Sequence, residues 1–177
     1  MNILTALQIK PRAAARFMLI AAFMAPASVF PQEPLVPMNQ LSPDAALELA
    51  QASLASCRSS GFLVAVAVVD RRGVTQVLLR DRYAGPHTPD TAVRQAWTAV
   101  SFRSDTLSLS RNTKAGSDQS GARMIENALM IGGGVPVEVA GATIAAVGIS
   151  GAPSGEADDR CARAGIAAVK ATLELEG

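Results

Sequence analysis

The side chains of this sequence that can do chemistry gather in a few places. The first is DRYAGPHTPD, a polar loop with two prolines that holds His87, the only histidine of the chain, together with Arg82 and Tyr83, and with Arg80 just before it. Imidazole and phenol groups ligate haem iron and guanidinium groups pair with its propionates, so these four residues have the chemistry a porphyrin needs. A lone histidine in a loop is more often a solvated side chain, and both readings stand at this point. The second place is GISGAPSGEADD, which runs from an apolar segment into a helical one. Free backbone N–H groups at such a helix start can hold a carboxylate or phosphate, but Glu156, Asp158 and Asp159 already supply negative charge there, which favours capping. The third is Gly132 to Gly134, which looks like a phosphate cradle; a strand rather than a helix follows it, so it reads as a turn. The sequence contains no GxSxG, HExxH, Walker or dinucleotide-binding pattern that would name a reaction. An enzymatic reading would draw on the loop after Ser150 and the turn at Asp70.

Two cysteines complete the inventory. They are not in a CxxC pair and lie far from His87 in sequence, which argues against a metal site or a catalytic thiol. If the first and last strands are antiparallel neighbours at the sheet centre, the first helix ends and the last begins at one edge. Cys57 and Cys161 then meet on inward faces, and a bridge closing about 105 residues contributes on the order of 4 kcal/mol. Two buried free thiols are the alternative.

These residues sit in a chain of 177 residues that is 49% apolar, with 16 basic and 15 acidic side chains. Its start is not like the rest. Residues 1–27 carry Lys10, Arg12 and Arg16, then an apolar run from Phe17 to Ala25, then small residues before Ser28. That is the three-part pattern of a secretory signal peptide, and a run of roughly nine apolar residues is too short to span a bilayer that needs about 20. The expectation is therefore cleavage after Ala27 and a periplasmic or secreted product with no membrane span in the mature chain. Without the leader the balance is 13 basic against 15 acidic side chains. That slightly acidic balance, with aromatics at 4% of the chain, argues against a nucleic-acid partner. Residues 28–40 hold three prolines and read as an extended arm, which leaves 41–177 as a single domain.

The domain's periodicities place its elements. Ser42 with Pro43 caps a helix over about 43–59, with Leu47, Ala50, Leu54 and Cys57 on one face. FLVAVAVVD and VTQVLLR, joined by RRG, read as a hairpin whose first strand is apolar on both faces and so central. Thr88 and Pro89 cap a helix from Pro89 to about Phe102 that buries Ala92, Ala96, Ala99 and Val100. Residues 103–122 read as a long surface excursion with one helical turn after Ser104. Short strands follow Ile125 to Ile131, the last from Ala142 to Ser150. A final helix spans about 157–175, with Cys161, Ala164, Ala168 and Leu175 on its apolar face. This order predicts an α+β domain, an antiparallel sheet covered by helices.

Three stretches, VAVAVVDRRGVTQVLLRDRYAG, AVRQAWTAVSF and IGGGVPVEVAGATIAAVGISGAPSGEADDRCARAGIAAV, resemble the haem-binding and haem-degrading family that includes HbpS and GlcG and forms the C-terminal half of PduO-type corrinoid proteins. The resemblance covers Leu41 to Leu173 and is most specific in VVDRRG, RDRYAG and GGGVPVEVAGATIAAVGISG. It implies an α+β fold with a five-stranded antiparallel sheet and packed helices in a profilin- or PAS-like layered arrangement, and self-association into a homo-oligomer. It also implies haem binding, with iron-dependent haem breakdown in some members. Exported members are similar in carrying one cysteine near each of the same two helices, which supports the bridge. Ala92, Ala96, Thr98 and Ala99 match the family's A-x-x-K-A-x-T-A helix, while Gln95 stands where it often has lysine. On this basis the chain is expected to be an exported haem or tetrapyrrole binding protein, with His87 or Tyr83 on the iron and Arg80 and Arg82 on the propionates. The alternatives are a small enzyme acting on haem or a small organic acid, and a ligand-free sensory or interaction module using the 103–122 excursion.

Overall fold

Proline-capped helices and β-branched strands fold where their spacing places them. A computed structural model describes residue 35 and residues 38–175. The expected leader, residues 1–27, and most of the arm, 28–40, lie outside the described residues, as does the Leu175 side chain. Helix α1 (Pro43–Ser59) starts at Ser42, whose hydroxyl accepts the Ala45 N–H at 3.2 Å. Strands β1 (Ala65–Asp70) and β2 (Thr75–Arg80) form the hairpin, and helix α2 (Thr88–Phe102) follows the polar loop. The excursion holds α3 (Thr106–Asn112), capped by Asp105, and a short 3-10 turn (Ser120–Met124). Strands β3 (Gly134–Val139) and β4 (Ala142–Ser150) and helix α4 (Gly155–Leu175) complete the unit spanning Pro37–Gly177.

The sheet has the order β2-β1-β4-β3, all antiparallel. β1 is central, as its two apolar faces require, and pairs with β4 from Ala65↔Ser150 to Asp70↔Ala145. Ala65, Ala67 and Val69 face α2, which packs through Ala92, Ala96 and Ala99. Val66 and Val68 face the other way, with Val147, Ile149 and Val137, against α1 and α4. Helices thus cover both faces, and each fully buried valine in this core is worth about 1.5–3 kcal/mol.

Three expectations need correction. The sheet has four strands, not five. Residues 125–131, which lead into β3, lie along α2, whose side chains take their backbone groups: Thr98 Oγ1 accepts the Leu129 N–H at 2.9 Å, and Arg94 donates to the Ala128 carbonyl at 3.3 Å. Ala128 and Met130 then pack on Leu109, Trp97 and Phe102. The outer edge of β3 is closed to a further strand at Gly134, whose N–H is taken by Thr106 at 2.8 Å, and at Pro136, which has none to offer. Second, the cap of α2 is His87, not Thr88; the Thr88 hydroxyl donates instead to the Gly85 carbonyl at 2.8 Å. Third, α4 is rotated from its expected face: Ala164 and Ala168 are exposed, and Cys161, Ala162, Gly165 and Val169 are buried. The pivot is Gly165, where a Cβ would come 1.9 Å from Ser53 Oγ and 2.9 Å from Ser53 Cα, so α1 and α4 cross at a distance only glycine permits.

The rotated face still carries the bridge. Cys57 and Cys161 are disulfide-bonded with Cα atoms 5.3 Å apart, linking the end of α1 to the start of α4 across 104 residues.

Candidate functional site

The polar loop after β2 is anchored at its first residue. Asp81 is buried; its carboxylate accepts from Arg58 of α1, with Nε at 2.8 Å, and from the Val64 N–H at 3.4 Å. From that anchor the chain turns through Ala84, whose N–H donates to the Asp81 carbonyl and whose carbonyl accepts from the Arg80 guanidinium. The loop ends by entering α2, where the Thr91 N–H and hydroxyl both donate to the His87 carbonyl. Side chains here are presented outward: Tyr83 is 77% exposed, and Arg80, Arg82 and His87 are exposed too.

Of those four residues, His87 lines a cleft of the domain. It stands at the mouth of a cavity of about 380 Å³ bounded by the first turns of α2, by Ile131 and by the loop from Ser150 to Gly155. Among the described residues its imidazole makes no hydrogen bond, since the cap it provides is through its backbone. Tyr83, Arg80 and Arg82 do not border this cavity. Asp70, at the far end of β1, does not border it either: it accepts the Arg72 and Val74 N–H groups at 2.8 and 2.9 Å and holds the hairpin turn. The Asp70 turn and the loop after Ser150 are therefore not brought together.

Two interior residues of the cleft carry polar groups whose importance sequence reading did not bring out. Gln95 is fully buried; its Nε2 donates to the Gly132 carbonyl at 2.9 Å and reaches the Ile131 carbonyl at 3.4 Å, while its Oε1 has no partner. Asp158 accepts the Ala152 N–H at 3.0 Å and is 5% exposed. The two flank Gly133, whose absent Cβ would sit 2.9 Å from Gln95 Nε2 and 3.0 Å from Asp158 Cβ. Desolvation pushes the Asp158 carboxyl from 3.8 up to about 7, against the opposing effect of the Ala152 and Gly151 N–H groups. Of the three acids at this helix start, Glu156 behaves as a capping charge, its pKa lowered by backbone and Ser154 hydrogen bonds. Asp159 pairs with Arg163 at 2.7 Å, and only Asp158 turns into the cleft. The sequence signal for this was slight: an acid in the first turn of a helix whose loop doubles back.

A larger cleft of about 620 Å³ lies elsewhere, between β3, the end of α2 and α4. Arg103, Arg163 and Lys170 border it, but no histidine, tyrosine, cysteine or methionine does, so it offers none of the usual side-chain ligands for haem iron. Among the described residues no cluster of three histidine, cysteine or acidic side chains could hold a metal ion, and no helix is long and apolar enough to cross a membrane.

Residues 41–167 match the family described as haem degrading protein, HbpS-like. The chain is similar to the crystal structure of a double mutant of HbpS from Streptomyces reticuli, with 34% identity and a TM-score of 0.73 over 92% of this chain and 99% of that one. It is also similar to a PduOC–haem complex, with 29% identity and a TM-score of 0.68 over 73% of this chain and 95% of the other. A 15.0 kDa protein from the dhaT–dhaS intergenic region of Citrobacter freundii is 31% identical over 109 residues, 60% of this chain and 77% of its own length.

Proposed function

Because the chain belongs to the HbpS-like family of haem-degrading proteins, we propose that it binds haem or a related tetrapyrrole at the mouth of the His87 cleft. The observation that carries this reading is an exposed imidazole, free of hydrogen bonds, at the rim of a cavity. His87 is the iron ligand, with Tyr83 in the same loop as the alternative. Arg82, which has no partner among the described residues, and Arg80, which already donates to the Ala84 carbonyl, take the propionates. Bound haem would supply redox-active iron and a large apolar plane; the protein's part is to orient it through the loop that Asp81 anchors. A second copy of the chain would cover the part of so large a ring that the cleft leaves outside, in a homo-oligomer. Exposed apolar side chains at Met124, Ile125 and Ile131 suit such a contact. Removal of residues 1–27 on export completes the reading, and a disulfide belongs in the oxidising compartment it implies.

Hemin added to the purified protein is expected to give a sharpened, red-shifted Soret band, and His87→Ala to lose it. An unchanged spectrum in that variant would transfer the role to Tyr83 and be checked with Tyr83→Phe; no band in the wild type would reject the reading. The family's description favours a second reading, haem breakdown. It predicts that reductant and oxygen bleach the Soret band and yield a biliverdin-like product.

A further inference from the structure

We propose that the cleft of about 620 Å³ between β3, the end of α2 and α4 is a binding site, separate from the His87 cleft, for a small carboxylate with an apolar tail, whose head group pairs with Arg103. The residue at this corner stands against the preference of its own backbone. Arg103 follows the last turn of α2 with a φ of 49°, the left-handed conformation in which glycine is favoured over any residue with a Cβ. The cap itself needs only its backbone N–H, which donates to the Ala99 carbonyl. The helix dipole does not explain the choice either, since a cation at Ser101 would gain the same attraction with an ordinary helical φ. The Arg103 guanidinium has no hydrogen bond or ion pair among the described residues, and the residue borders the cleft. Ala140, in the turn between β3 and β4, borders the same cleft and also has a φ of 49°. Two of the three non-glycine residues with positive φ among the described residues thus meet here, and backbone of this kind gathers where a surface is shaped for a ligand.

Most other charges of the cleft are spent within the fold. Arg163 is held by Asp159 at 2.7 Å and by Asp105 at 3.6 Å, and Lys170 is engaged as well. Asp105 also accepts the Ser108 N–H at 2.7 Å, as the cap of α3. With Arg103, Arg163 and Lys170 set against Asp105 and Glu138, the rim is positive by one charge, and Arg103 is where that charge is uncommitted. This matches a monoanion. A guanidinium takes a carboxylate through two parallel N–H bonds, whereas a phosphate dianion would bring a second negative charge beside Asp105 and Glu138. Val135, Val139, Ile166 and Ala167 line the same space and give an apolar tail a wall to lie on. The volume falls within the range of about 300–1,000 Å³ that small-molecule sites occupy.

The test titrates sodium octanoate, octylammonium chloride and 1-octanol, which share a tail and differ in head group, into the purified protein with its disulfide intact, followed by calorimetry and amide NMR shifts. Octanoate is expected to bind about tenfold more tightly than either of the others, with shifts at Ser104, Val139 and Ala140. Arg103→Gln removes the charge and is expected to abolish the preference. Arg103→Gly is expected to lose octanoate binding and yet to raise Tm, because glycine relieves the left-handed backbone. A residue retained for the fold alone would not show that opposition. Equal affinity for the three probes, no binding of octanoate, shifts confined to the His87 cleft, or undiminished octanoate binding in the Arg103→Gln protein would overturn the proposal, and so would an Arg103→Gly protein less stable than the wild type. Hemin absorbance is a separate readout, so failure here and failure of the haem reading are distinguishable.

Discussion

Asp158 shows how one side chain can take on a role its position does not announce. An acid at the start of a helix ordinarily gains from the helix dipole and has a lowered pKa. Here the loop from Ser150 folds over the carboxyl and desolvation outweighs the backbone N–H groups that favour its charge. The consequence for stability has a definite sign. With a folded pKa of about 7 against 3.8 for the free group, the native state binds more protons than the unfolded state between those values. Asp158 therefore lowers stability as pH rises from about 4 to about 7, by at most about 4 kcal/mol, and its effect is constant above that. Asp158→Asn is expected to flatten this part of the profile in urea unfolding measured across that range. A slope unchanged by the substitution would show that the carboxyl ionises as freely in the folded chain as in the unfolded one.

At the scale of elements, the contacts that aim the site are close crossings and anchors rather than strong local propensities. α1 and α4 meet where Gly165 faces Ser53, and this crossing sets which face of α4 turns inward, including the turn that carries Asp158. A Cβ at Gly165 would press on the Ser53 backbone as well as its hydroxyl, so Gly165→Ala is expected to cost about 1–3 kcal/mol by overpacking. Chemical denaturation measures this directly, and a neutral result would mean the helices can part without loss. The stretch from Ile125 to Ile131 makes the complementary point. Its apolar residues could have continued a sheet, but α2 offers Thr98, Arg94 and Gln95 to its backbone, and those partners make it an irregular layer that walls the cleft.

Across the whole molecule, the bridge between Cys57 and Cys161 spans most of the described chain. Closing 104 residues restricts the unfolded ensemble by about 4 kcal/mol in the chain-entropy model, so reduction is expected to lower unfolding stability by that order. Urea unfolding with and without a phosphine reductant checks it, and a difference below about 1 kcal/mol would contradict the loop-closure account. The same molecule marks where sequence reading reaches and where it ends. Ser42 with Pro43, the two apolar faces of β1 and the alanine spacing of α2 determined α1, the central strand and the covering helix, because caps and periodicity act within a few residues of themselves. The cysteine pairing followed once β1 and β4 were neighbours. The four-strand count, the inward face of α4, and the meeting of His87, Gln95 and Asp158 in one cleft were decided only by the tertiary structure. Each depends on how closely distant segments approach, at Gly133 and Gly165 above all, and on which side chains reach a neighbour's backbone first. Those distances are set by packing among elements, not by the spacing of residues within one.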